Sequence, residues 1–206
     1  MTANAVTVRQ RLPADLRKRQ IVETALDLVA AHGADAVTTH AIADAIGVSQ
    51  AAIFRHFSTK EAIWVAVLDW LDDRLATIHR RAEGEADAHP VEALERMFLA
   101  HVDLVERYPA FAKLVFSDHL RLRYPSLNER FAPIHEAYRL RVAELIARAK
   151  SEGAAAADLA PAQAATLYLC MAQGLMFQIA IARLPIAPQP EAKRLFALYR
   201  RAIAAK

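Results

Sequence analysis

Cysteine is almost missing from this chain: Cys170 is the single one among 206 residues. No internal disulfide can form, and the composition suits a reducing cytoplasm. Cys170 lies in an apolar run with no neighbouring base, so an activated thiolate has no support. Glycine is scarce too, five in all, and neither a phosphate-cradling glycine-rich loop nor a nucleophile elbow is present. His101, Asp118, His119 and His135 would have to converge to hold a metal, yet no pair has His-x-x-x-His or Cys-x-x-Cys spacing. No metal and no cofactor are therefore expected. Residues Met1 to Pro13 lack the apolar core of a signal peptide, so export is not expected and the cytoplasm is the expected location. Alternating strand patterns of convincing length and internal repeats are also lacking, which leaves an all-α fold.

What the chain does have is apolar surface to bury. Hydrophobic residues make up 55% and charged ones 24%, a helix-rich globular composition with enough length for one large domain or two small ones. The formal charge of +3 fits an anionic partner without demanding one. Within residues 1–20 the cations Arg9, Arg11, Arg17, Lys18 and Arg19 face only Asp15. Such an arm either tracks phosphates or is a solvated terminus. A helix is expected from Ala14 to His32, burying Ile21, Ala25, Leu28 and Val29 and ending at Gly33. Beyond residue 58, helical patterns cover 58–82, 90–107, 109–122, 126–152, 161–184 and 190–205, punctuated by proline. Pro133, inside one of them, predicts a kink or an early break.

The stretch Thr38–Lys60 is the most informative. Thr39 can cap a short helix on which Ile42, Ala45 and Ile46 form an apolar stripe. Gly47 then supplies the left-handed corner, Val48 plugs it, and Ser49 caps a second helix. Ile53 and Phe57 pack inward there, leaving Gln50, Ala51, Ala52, Arg55 and His56 outward. An amide beside small residues at a helix N-terminus suits the DNA major groove. Gln can bond adenine in bidentate fashion, and alanine methyls can touch thymine methyls. A helix-turn-helix presents its second helix this way. Ser58-x-x-Glu61 reads as a capping box for the next helix, with Lys60 in its first turn. That helix, about 34 Å long, can belong to both ends of the molecule.

From about Arg17 to Trp64 the chain resembles the DNA-binding domain of the TetR/AcrR regulators. The resemblance rests on the helix ending at Gly33, on Thr39–Ile46, on Gly47-Val48-Ser49, and on Ile53 to Phe57 followed by Ser58 to Glu61. It implies base reading by Gln50, Ala51 and Ala52, backbone or base-edge contacts by Thr39 and His40, and phosphate contacts by His56 and Lys60. Arg55 occupies a variable position that often reaches DNA. Phe54 stands where the family usually has a tyrosine whose hydroxyl meets phosphate, so here only packing or van der Waals contact remains.

The resemblance further implies residues 1–57 as arm and DNA-binding domain and residues 58–206 as a helical effector-binding and dimerisation domain, with about nine helices in all. Pro161–Leu184 is nearly apolar all round, but Gln163, Thr166, Gln173 and Gln178 argue against a membrane span. With the amphipathic last helix it resembles the four-helix dimer interface of TetR-like proteins. Aromatic and polar residues at helical spacing are ordinarily plain core. A ligand cavity is the functional alternative, with His101, Phe116, His135, Tyr138, Gln173 and Phe177 as candidate contacts. The expected function is a homodimeric repressor released from a near-palindromic operator by a small, largely apolar molecule. A DNA-binding protein without an effector is the main alternative; a helical enzyme or metal-binding protein is the remote one.

Overall fold

Proline begins four of the helices downstream of residue 83. Its ring fixes a helical φ, and its missing N–H goes unnoticed in a first turn, where that group has no intrahelical partner. Pro90, Pro125, Pro161 and Pro188 all stand there. The structure, a computed structural model, describes residues 12–84, 89–182 and 184–205. Arg9 and Arg11 of the basic arm, and residues 85–88 of the polar break after α4, lie outside the described residues.

Among the described residues there are ten helices and no β-strand. They are α1 (Ala14–His32), α2 (Thr39–Ala45), α3 (Gln50–Phe54), α4 (Lys60–Glu83), α5 (Pro90–Arg107), α6 (Ala110–Val115), α7 (Asp118–Arg123), α8 (Pro125–Ser151), α9 (Pro161–Ala180) and α10 (Pro188–Ile203). The count exceeds the expected nine because 109–122 divides. Phe116 closes α6, and the Ser117 side chain accepts from the Leu120 amide at 3.3 Å to start α7. The break expected at Pro133 does not occur. α8 runs through it, with Pro133 on the exposed side, where a carbonyl deprived of its partner can take water.

Two caps shift by one residue from their expected places. Thr38, not Thr39, caps α2 by accepting from the Ala41 amide at 3.0 Å. Thr59, not Ser58, caps α4 by accepting from the Ala62 amide at 3.0 Å. The capping box is therefore not formed, and the Glu61 carboxylate instead accepts from the Ser126 hydroxyl. On α2 the buried partner of Ile42 is Ala43, while Ala45 is exposed.

Two apolar cores organise the helices. The first joins Ile21, Val22, Ala25, Leu26 and Val29 of α1 to Ile42, Ile53, Ile63, Trp64 and Val67, and extends to Phe111, Leu114 and Leu127. The second joins Leu94 and Phe98 of α5 to Val142, Leu145 and Ile146 of α8, Tyr168 of α9, and Phe196 and Tyr199 of α10. Ile78 of α4 packs against both. Truncating one such buried aliphatic side chain to alanine typically costs about 2–5 kcal/mol. Buried phenols lock the second core: Tyr168 donates to the Leu94 carbonyl at 2.9 Å and Tyr199 to the Ala164 carbonyl at 2.8 Å.

Polar ties join the helix-turn-helix end to the rest. Lys113 of α6 donates to the Ala30 carbonyl at 2.7 Å, at the C-terminal end of α1 where a cation meets the negative helix pole. Arg130 of α8 reaches Asp69 at 2.6 Å and Asp72 at 2.7 Å on α4.

The corner between α2 and α3 holds Gly47 at φ 68°. Gly47→Ala forces a side chain into the left-handed region, at a cost of about 1–2 kcal/mol. The expected result is a lower urea midpoint at unchanged slope; an equal midpoint would show that the corner does not need glycine.

Candidate nucleic-acid interface

The surface around α3 is built from backbone ties at the corner. The Gly47 amide donates to the Asp44 carbonyl at 3.0 Å and the Val48 amide to the Ala43 carbonyl at 2.9 Å. Ser49 then caps α3, its side chain accepting from the Ala52 amide at 3.3 Å. Ile53 is fully buried and Phe57 nearly so, which anchors the inner side of α3. Gln50, Ala51 and Arg55 are left exposed, and Ala52 and His56 half-buried.

Gln50 is less free than its position in the sequence suggests. Its side-chain amide donates to the Thr39 hydroxyl at 2.7 Å, so Thr39, only 8% exposed, serves as a brace between α2 and α3 rather than as a cap. That bond uses one of the two N–H groups; the other and the carbonyl oxygen remain for a bidentate partner. His40 is exposed one residue along, 3.2 Å from Asp44. Phe54, 45% exposed, has no hydroxyl to offer. Lys60 stands in the first turn of α4, its ammonium 5.6 Å from the Trp64 ring centre. An open groove beside it is lined by His56 and Thr59 together with Lys18 and Arg19 of α1. Those two cations read in sequence as part of an arm; in the fold they stand on the opening turns of α1 beside the same surface.

A second feature lies in the helical body. α4, α5, α6, α8 and α9 enclose a cavity of about 60 Å³. Its polar wall groups are His101, His135, Tyr138 and Gln173, four of the six candidate ligand residues, among apolar side chains such as Leu71, Leu75, Phe131 and Met176. Phe116 and Phe177 do not line it. They meet edge to face on the surface, ring centres 5.8 Å apart, 39% and 46% exposed. Phe177 follows Met176 by one residue, a rotation of about 100° that carries it off the inner stripe of α9, and Phe116 sits past the end of α6.

His79 of α4 was not singled out in the sequence. It stacks on the Tyr138 ring with centres 4.9 Å apart, and His101 stacks on the same ring at 5.4 Å. Its spacing from Leu75 and Ala82 on the inner stripe was the available signal. His79 Nε2 and His101 Nδ1 are buried without hydrogen-bond partners; the Tyr138 hydroxyl, also buried, makes no well-formed bond and has the Tyr168 hydroxyl as a neighbour. Burial, with a smaller contribution from the charge of His79, lowers the His101 pKa to about 4. Burial, aided by Arg141 and partly opposed by Asp72, lowers that of His79 to about 4. Burial also pushes the Tyr138 phenol up. Among the described residues, no group of three or more His, Cys, Asp or Glu side chains is placed to share a metal ion, and no helix is long and apolar enough to cross a membrane.

Residues 21–67 match the family model described as bacterial regulatory proteins, tetR family. An HTH-type transcriptional repressor of Mycobacterium tuberculosis is 34% identical over 149 residues, 66% of this chain and 77% of the relative. The nucleoid occlusion factor SlmA of Aliivibrio fischeri is 26% identical over 137 residues, 65% of this chain and 68% of the relative. The transcriptional regulator FadR of Bacillus subtilis, solved in complex with stearoyl-CoA, superposes with a TM-score of 0.75 at 18% identity, covering 90% of this chain and 98% of that one. The last likeness is one of fold alone.

The two buried imidazoles set an acid limit on stability. Their folded pKa of about 4 lies below the ordinary 6.5, so between those values the unfolded chain binds more protons. Their contribution is intact above about pH 6.5 and is lost progressively as pH falls towards 4. Melting temperatures across that range should fall in the parent and fall less steeply in His101→Gln; equal slopes would contradict the neutral, buried state of His101.

Proposed function

This chain belongs to the TetR family of bacterial regulatory proteins, and we propose that it acts as a homodimeric repressor released from a near-palindromic operator by a small molecule. That it is a DNA-binding transcriptional regulator follows from the family; the repressor role, the dimer and the ligand response are the proposal. It works on DNA in the cytoplasm and involves no catalytic step.

The observation that carries the DNA reading is the rigid, outward presentation of Gln50, Ala51 and Ala52 at the N-terminus of α3, with Ser49 and Thr39 fixing the geometry. Small residues allow close approach to base edges, and the braced amide suits adenine. His40, Arg55, His56 and Lys60 flank this patch and are assigned to phosphate or base-edge contacts, and Phe54 to van der Waals contact. The division at residues 57 and 58 then separates the reading head from the helix that carries it.

Dimerisation is supported by apolar side chains left outward on the last two helices: Leu167 at 49% and Phe177 at 46% on α9, and Leu198 at 53% on α10. Covering this strip with a second copy removes it from water and sets two α3 helices on successive major grooves. Ligand response is supported by the cavity, because Leu71 and Leu75 in its wall belong to α4, the helix that begins at Lys60. A ligand that binds better to a splayed arrangement shifts the population away from the DNA-binding one, by no more than its differential affinity. The FadR structure with stearoyl-CoA shows that a protein of this fold can hold a small molecule. A second reading, favoured by the small volume of the cavity, keeps the DNA face and dispenses with an effector.

Selection of bound fragments from a random DNA pool supplies the site for the decisive test. Gln50→Ala should relax base preference by about 1–3 kcal/mol at one position per half-site. Lys60→Ala should weaken all sequences alike and reduce the salt slope by about 1 per half-site. If both variants bind operator and random DNA as the parent does, the assigned face is wrong.

A further inference from the structure

We infer that the cavity between α4, α5, α6, α8 and α9 selects an uncharged, compact, mostly apolar molecule bearing one hydroxyl or carbonyl group, held by Tyr138 and His101. This rests on the reading of that cavity as the effector site and names the chemistry it accepts.

The first reason is what the walls lack. No lysine, arginine, aspartate or glutamate lines the cavity. A carboxylate, phosphate or ammonium group brought inside would lose its hydration and meet no opposite charge. The second reason is what the walls leave unsatisfied. Tyr138 is 4% exposed; His101 Nδ1 has no hydrogen-bond partner, and the Tyr138 hydroxyl makes no well-formed bond, its Tyr168 neighbour already donating to the Leu94 carbonyl. Buried polar groups are ordinarily paired, and an orphaned pair in the wall of a cavity marks where a ligand or water completes the bonding. Burial keeps the imidazole neutral down to about pH 4, so at neutral pH it offers a hydrogen bond but no charge.

The stack holds these groups in place. Tyr138 stacks with both imidazoles, nearly parallel to His101 at an interplanar angle of 9°. Its hydroxyl can donate to a carbonyl or accept from a ligand hydroxyl. Size sets the remaining limit: about 60 Å³ is well short of the roughly 150 Å³ of a cavity that takes a benzene ring unaided. A single ring therefore enters only by parting the walls, and α4 supplies one of them.

The test uses the full chain at pH 7.5, with phenol and toluene as neutral probes of one size and benzoate against its neutral isostere benzamide as the charged one. Binding is read by calorimetry and melting temperature, and affinity for the selected DNA is read in the same samples. Phenol should bind about tenfold more tightly than toluene, the worth of one buried hydrogen bond, and benzamide should bind where benzoate does not. Tyr138→Phe keeps the ring stack and should bring phenol and toluene to equal affinity. His101→Phe should narrow the same ratio, and serves if Tyr138→Phe does not fold. Benzoate binding as well as benzamide, a phenol-to-toluene ratio unchanged in the variant that folds, or no binding of either phenol or toluene would each overturn the inference. Phenol binding that leaves DNA affinity unchanged would support the chemistry of the site while overturning its regulatory role.

Discussion

One helix, α4, is held from both ends of the molecule. Its first half supplies Ile63, Trp64 and Val67 to the core that supports α1–α3, and Ala82 near its end belongs to the core of α5, α8, α9 and α10. A helix buried along its length transmits displacement because its backbone hydrogen bonds leave few soft degrees of freedom, whereas a loop would absorb it. Lys60 at its start and the cavity-lining Leu71 and Leu75 therefore lie on one continuous helix. About 16 Å of helix separates Lys60 from Leu71 at the usual rise.

Polar contacts between the two ends refine this arrangement more than they hold it together. Arg130, reaching Asp69 and Asp72, is a partly exposed pair of ion pairs, and such contacts contribute modestly because water competes for both charges. Lys113 differs in kind. It satisfies the Ala30 carbonyl in the last turn of α1, and it does so from α6, on which Phe111 and Val115 line the cavity. The apolar cores supply the stability, and these few directional contacts fix which way the helices lie.

The two candidate sites follow opposite physical rules. Around α3 the exposed or half-buried side chains include the Gln50 amide and the cations Arg55 and Lys60, suited to a polyanion that keeps much of its hydration. Inside the body the polar groups are few, buried and uncharged, suited to a molecule that gives up its hydration. The Thr39–Gln50 bond belongs to the first surface and the His79–Tyr138–His101 stack to the second.

The sequence by itself determined most of the helices, the corner at Gly47 and the outward patch at Gln50, but not the division of α6 from α7 or the continuity of α8 through Pro133. The features it determined depend on periodicity, capping chemistry and backbone conformation, all decided within about four residues. It left each cap uncertain by one position where two hydroxyl residues are adjacent, as at Thr38 and Thr39 or Ser58 and Thr59. Only the tertiary structure decided that Thr39 braces Gln50, that Phe116 and Phe177 point out while His79 points in, and that His101, His135, Tyr138 and Gln173 share a cavity. Each of those outcomes depends on which helix lies across from which. Residues far apart in the chain settle that by packing, and no local pattern records it.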